Sequence, residues 1–139
     1  MSKRKPTPKF KKQVAERADF RCEYCQCPKA YVPDPFEVEH IVAFSLGGKL
    51  VLSNVAWSCR GCNNEKSNKI EAVDPVTNHK VPLYNPRKHS WNEHFTWDES
   101  TLLIIGISPM GRATVEQLKL NRPELLNLRS LLYLVGLHP

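Results

Sequence analysis

Residues 36–66 read Phe36-Glu-Val-Glu-His-Ile41, Val42-Ala-Phe-Ser-Leu-Gly-Gly-Lys-Leu-Val-Leu-Ser-Asn54, Val55-Ala-Trp-Ser58 and Cys59-Arg-Gly-Cys62-Asn-Asn-Glu-Lys66. Phe36 to Ile41 alternates apolar and polar side chains, as a strand with one buried face does. Ser45-Leu-Gly-Gly-Lys49 carries turn chemistry. The chain should therefore reverse there and enter a second short strand around Val55–Ser58. Asn63 to Glu71 then reads as a helix. Two short strands and a helix bury little apolar surface, so this segment needs a staple.

The cysteines supply one. Cys22-Glu-Tyr-Cys25 and Cys59-Arg-Gly-Cys62 are two thiol pairs, each spaced so that both sulfurs reach one tetrahedral ion. Four thiolates leave no open coordination position, so the expected Zn²⁺ is structural and contributes folding energy. Five cysteines are an odd number, and nothing at the N-terminus resembles a secretory signal, which argues against a disulfide framework. Cys27, the fifth, reads as a simple loop thiol.

Working outward, Lys9 to Ala18 (KFKKQVAERA) reads as a short basic helix started by Pro6 and Pro8. The net charge of +6 lies wholly in residues 1–21, and the later acidic and basic residues balance. Such a segment is an electrostatic footprint for nucleic acid. Pro75, Pro82 and Pro86 make Asp74 to Lys88 an irregular connection with at most a short strand. His94-Phe-Thr-Trp-Asp98 and Leu102-Leu-Ile-Ile-Gly-Ile107 predict a hairpin, and helices are expected over Gly111–Leu120 and Pro123 to about Val135, with Pro123 in a first helical turn. His89 and His94 read as surface or packing histidines, Trp91 and Trp97 as core aromatics. Leu125, Leu128, Leu132 and Val135 form an apolar stripe widened by Leu126, Leu131 and Leu134, a breadth that asks for burial against the hairpin or a second subunit. No apolar run is long enough to span a bilayer, so no membrane contact and a cytoplasmic location are expected. Oligomeric state is not legible.

Between the cysteine pairs lie Glu39-His40, a Gly47-Gly48 loop and Asn54, and directly after the last cysteine come Asn63 and, one turn on, Lys66. This order resembles the HNH endonuclease family, over roughly Val14 to Ile70. The resemblance implies an α+β fold with a treble-clef-like, zinc-stapled ββα-metal core, here with an N-terminal basic helix and a C-terminal hairpin plus helices. It implies hydrolysis of DNA phosphodiesters, DNA in double-stranded form being the expected partner. Such hydrolysis needs a base to activate water and a cation to neutralise phosphoryl charge. An imidazole, titrating near neutrality, suits the first role. On the family pattern His40 is the base, Glu39 a ligand of the catalytic cation, and Asn54 the residue that fixes the loop holding the histidine. Asn63 stands where the family usually has histidine. An amide oxygen is a harder ligand than imidazole, so Glu39 with Asn63 should favour Mg²⁺ or Mn²⁺.

Lys66 matches a family lysine near the scissile phosphate, Lys69 continues its face, and Arg60 sits on the second cysteine pair. With Lys3, Arg4, Lys5, Lys9, Lys11 and Lys12 these are the expected phosphate contacts, which position the nucleic acid without reading its sequence. The organisation expected is a basic tail and helix at 1–21, a nuclease core at 22–73 and an extension at 74–139. The rival reading is a zinc-dependent nucleic-acid-binding module without catalysis, which needs only the cysteines and the basic surface.

Overall fold

The computed structural model describes residues 5–139, so Lys3 and Arg4 lie outside the described residues. The chain is mixed α+β and groups into two units, one running to residue 70 and including 85–88, the other formed by 71–84 and 89–139. No helix among the described residues is long and apolar enough to cross a membrane.

In the first unit, α1 spans Pro8–Arg17, with Thr7 capping it by accepting a hydrogen bond from Phe10 N at 3.1 Å. Val14 and Ala15 are buried, and Arg17 reaches across to donate to the carbonyls of Leu52 and Val55. The two expected strands form as β1 (Glu37–His40) and β2 (Val55–Ser58), paired antiparallel with Glu37 opposite Ser58 and His40 opposite Val55. A helix, α2, follows at Arg60–Lys66. Its bounds differ from the expected Asn63–Glu71 because Cys59, not Asn63, is the N-cap: the Cys59 sulfur accepts from Cys62 N at 3.4 Å. The helix ends at Ser67, which takes a left-handed φ of 52°. Asn63 therefore sits inside the helix.

The second unit holds two hairpins and three helices among the described residues. Glu71–Val73 (β3) pairs with Lys80–Pro82 (β4), a full hairpin where the prolines had suggested irregular chain. Pro82 is tolerated because it stands at the end of a short edge strand. Trp91–His94 is a single helical turn (α3), so the expected strand from His94 begins one residue later, as β5 (Phe95–Trp97), paired with β6 (Ile104–Gly106). Then come α4 (Pro109–Leu118) and α5 (Pro123–Leu134), each with proline in its first turn.

Helix α4 crosses β6 and α3 closely enough that glycine is required at both contacts. A Cβ on Gly106 would lie 2.3 Å from Arg112 N, and one on Gly111 would lie 2.0 Å from the His94 carbonyl. Fully buried Asp74 takes a two-pronged ion pair from Arg112, at 2.9 Å from each donor nitrogen. The broad apolar stripe of α5 is buried only along Leu125 and Leu132, with the buried Arg129 between them donating to the carbonyls of Leu102 and Leu120. Leu131, Leu134 and Val135 stay exposed.

Candidate functional site

The first cysteine pair is a tight turn. Cys22 N donates to the Cys27 carbonyl at 3.0 Å, Gln26 N to the Cys22 carbonyl at 2.9 Å, and Gln26 adopts a φ of 68°. The second pair is the cap and first turn of α2. Between them they bring the ligand atoms of Cys22, Cys25, Cys59 and Cys62 within 4.8 Å of one another, all buried. The Cys25 and Cys59 sulfurs are 3.8 Å apart, close to the roughly 3.8 Å edge expected of a tetrahedron with zinc–sulfur bonds of about 2.3 Å. Mutual hydrogen bonding among the clustered thiols holds Cys59 well below the ordinary thiol range and pushes Cys25 and Cys62 above it. The donor set fits a zinc ion in a closed site. Cys27 is buried beside this cluster, its thiol pushed up by hydrogen bonding to Cys22 and Cys25.

Both residues inside the first turn reach the hairpin. Glu23 N donates to the Trp57 carbonyl at 2.9 Å, while its carboxylate accepts from Trp57 N at 2.7 Å and pairs with Arg87. Tyr24, 1% exposed, donates its hydroxyl to Glu39 Oε2 at 3.0 Å. The cysteine turn thus fixes the strand that carries Glu39 and His40.

Between the strands, Asn54 does to the loop what a third strand would do. Its Oδ1 accepts from Val42 N at 3.0 Å, and its Nδ2 donates to the carbonyls of Val42 at 3.1 Å and Lys49 at 3.0 Å. Gly48 permits this closure, since a Cβ there would lie 1.7 Å from the Val42 carbonyl oxygen. The loop leaves His40 just as β1 ends, so its geometry sets where the imidazole lies.

His40, 9% exposed, lines a cavity of about 110 Å³ together with Val38, Glu39, Ala43, Phe44, Asn63 and Ser67. The structure thus brings His40, Glu39 and Asn63 to one cavity. Asn63 donates its amide N–H to Glu37. Ser67 and Phe44 were not singled out from sequence. Ser67 stands one helical turn after Asn63, which is the signal that could have found it.

Glu39 is 3% exposed and its carboxylate is already engaged. Tyr24 bonds Oε2, and the Lys66 ammonium lies 2.7 Å from Oε1 and donates to the Ile41 carbonyl at 2.9 Å. Burial pushes the Glu39 carboxyl above its ordinary range, opposed by the charge and hydrogen bond of Lys66 and the hydroxyl of Tyr24. Lys66, expected at a scissile phosphate, is 1% exposed and turned inward, where Glu39 of β1 offers a buried carboxylate and Ile41, the residue after the strand, its carbonyl. Lys69 is exposed, as are Lys5, Lys9, Lys11 and Lys12. Arg60 is half-exposed and lies 3.8 Å from Glu37. The oxygen donors of Glu39 and Asn63 suit a hard divalent cation by type, with Lys66 standing beside them as a competing charge.

Residues 22–69 match the family model described as HNH endonuclease. No curated protein and no solved structure matches the chain.

Proposed function

We propose, from the match of residues 22–69 to the HNH endonuclease family model, that this protein is a divalent-metal-dependent endonuclease. It hydrolyses phosphodiester bonds in DNA from a treble-clef-like, zinc-stapled ββα-metal core. The observation that carries the reading is the shared cavity: His40, Glu39 and Asn63 line it together, at the exit of a loop locked by Asn54. His40, at the cavity wall, takes the proton of the attacking water. Asn54 holds the backbone that aims its imidazole. Glu39 and Asn63 would hold Mg²⁺ or Mn²⁺, which when bound supplies charge neutralisation at the phosphate and leaving oxygens. Exposed Lys69 and Arg60, and the basic tail with Lys5, Lys9, Lys11 and Lys12, attract the phosphate backbone.

The test is cleavage of plasmid DNA by zinc-loaded protein in Mg²⁺ and in Mn²⁺. His40→Ala is expected to lower the rate about 100-fold or more while DNA binding and melting temperature stay near wild type. Equal rates would remove His40 from the role of base. One observation favours the non-catalytic alternative, a zinc-dependent nucleic-acid-binding module: Lys66 already neutralises the proposed metal-binding carboxylate. Absence of cleavage of any nucleic acid, with DNA binding intact, would establish that alternative.

A further inference from the structure

We propose that Lys66 is the resident counter-cation of Glu39, so that a divalent ion binds this site weakly unless a nucleic-acid phosphate accompanies it. The inference rests on the reading of Glu39 as a metal ligand and concerns what sets the affinity of that site.

The argument is one of charge in a buried place. Glu39 and Lys66 are 3% and 1% exposed, and their charged atoms are 2.7 Å apart. Each has a further polar partner, Tyr24 for the carboxylate and the Ile41 carbonyl for the ammonium, so the pair is braced on both sides. The other polar side chains lining the cavity, His40, Asn63 and Ser67, bring no negative charge. The second carboxylate on this side of β1, Glu37, is tied to Asn63 and lies 3.8 Å from Arg60. Each carboxylate that β1 turns toward α2 thus meets a basic side chain of that helix.

A divalent cation reaching Glu39 therefore enters a site with no net negative charge and is repelled by the ammonium beside its ligand, at short range and away from solvent screening. A phosphodiester brings the missing charge. Metal and nucleic acid should then bind cooperatively, each tightening the other by the same factor. The pair also explains how the carboxylate is tolerated in the interior without metal, since a buried charge left unpaired is strongly destabilising.

The experiment is a Mn²⁺ titration of the full-length zinc-loaded protein, free Mn²⁺ being read by electron paramagnetic resonance, without nucleic acid. Lys66→Gln keeps a donor but removes the charge, and it is expected to bind Mn²⁺ roughly tenfold or more tighter than wild type. Its melting temperature should be lowered without Mn²⁺ and restored by it, while wild type responds little. Adding Glu39→Gln to Lys66→Gln should abolish the gain. Should Lys66→Gln fail to fold, Lys66→Met takes its place. His40→Ala protein provides an independent measurement: a short DNA duplex should tighten its Mn²⁺ binding, and Mn²⁺ its DNA binding, by equal factors. Wild-type protein that cleaves DNA and binds Mn²⁺ as tightly as the Lys66 variants, with no effect of duplex, would overturn the inference and leave the nuclease reading standing. If neither protein binds Mn²⁺ or cuts nucleic acid, the reading of Glu39 as a ligand fails and this inference fails with it.

Discussion

The two units hold themselves together by different means. The first buries five cysteines and braces a two-stranded hairpin from a cysteine turn, through Glu23 to Trp57 and Tyr24 to Glu39. The second buries no cysteine. It relies on close helix-to-strand crossings at Gly106 and Gly111 and on buried charge satisfied by geometry, Asp74 with Arg112 and Arg129 with backbone carbonyls. A metal cross-link makes a thin core stable and leaves its surface available for chemistry. A core closed by side-chain hydrogen bonds has no such dependence. The proposed site lies in the first unit.

The comparison breaks most sharply on zinc. Chelation, or Cys59→Ser, should unfold the first unit outright, since a closed thiolate site contributes about 10–16 kcal/mol to folding in small zinc domains. Hydrogen exchange should show amides of β1, β2 and α2 losing protection while those of α4 and β6 keep theirs. Equal loss in both units would mean that the second depends on the metal as well.

A smaller effect separates the two kinds of close packing. Gly48→Ala forces a Cβ onto the Val42 carbonyl, and Gly106→Ala forces one onto Arg112 N. Each should cost about 2–4 kcal/mol, in the range of overpacking and broken hydrogen bonds. Thermal melts should show similar losses, but only Gly48→Ala should also lower any cleavage rate, because it displaces the loop that aims His40. A rate loss of equal size with Gly106→Ala would deny that the loop is special.

The smallest effect is a pH dependence of the second unit. The hydrogen-bonded Arg112 guanidinium, aided by Val76 N and Thr77, holds the Asp74 carboxyl below its usual range. Burial, with the charge of His89 adding to it, likewise pushes His94 down. Both pKa values are depressed in the fold, so both groups contribute stability that is present at neutral pH and lost on acidification. The loss should begin below about pH 6.5 as unfolded-state histidine takes up its proton, and deepen below about pH 4 through Asp74. Protection of β3 and α4 amides should follow that course. Asp74→Asn should weaken the unit at pH 7 and flatten the part below pH 4; an unchanged acid profile would assign the loss elsewhere.

Much of the first unit was legible in the sequence because its determinants are local. Period-two alternation gave β1, paired thiol spacing gave the four cysteines that cluster, and the glycines of the loop marked a turn. The bounds of α2 were not legible, since a cysteine acting as N-cap is ordinarily read only as a ligand. The hairpin at 71–82 was obscured by prolines that an edge strand accommodates. Of the candidate site, the sequence named His40, Glu39, Asn54 and Asn63, and the HNH match over 22–69 agrees with the family their order suggested.

Only the tertiary structure decided the direction of Lys66, which one turn of helix beyond Asn63 could have aimed at solvent as easily as at Glu39. A sequence records that a lysine and a glutamate are present and how far apart along the chain they stand. Whether they meet depends on which face α2 turns to β1, and that is set by the cysteine cluster and the packing around it. The same holds for Tyr24, whose place inside a cysteine pair said nothing of the carboxylate it reaches. Spacing along the chain determines what can ligate one ion; burial, which no local pattern fixes, determines which charges must neutralise one another.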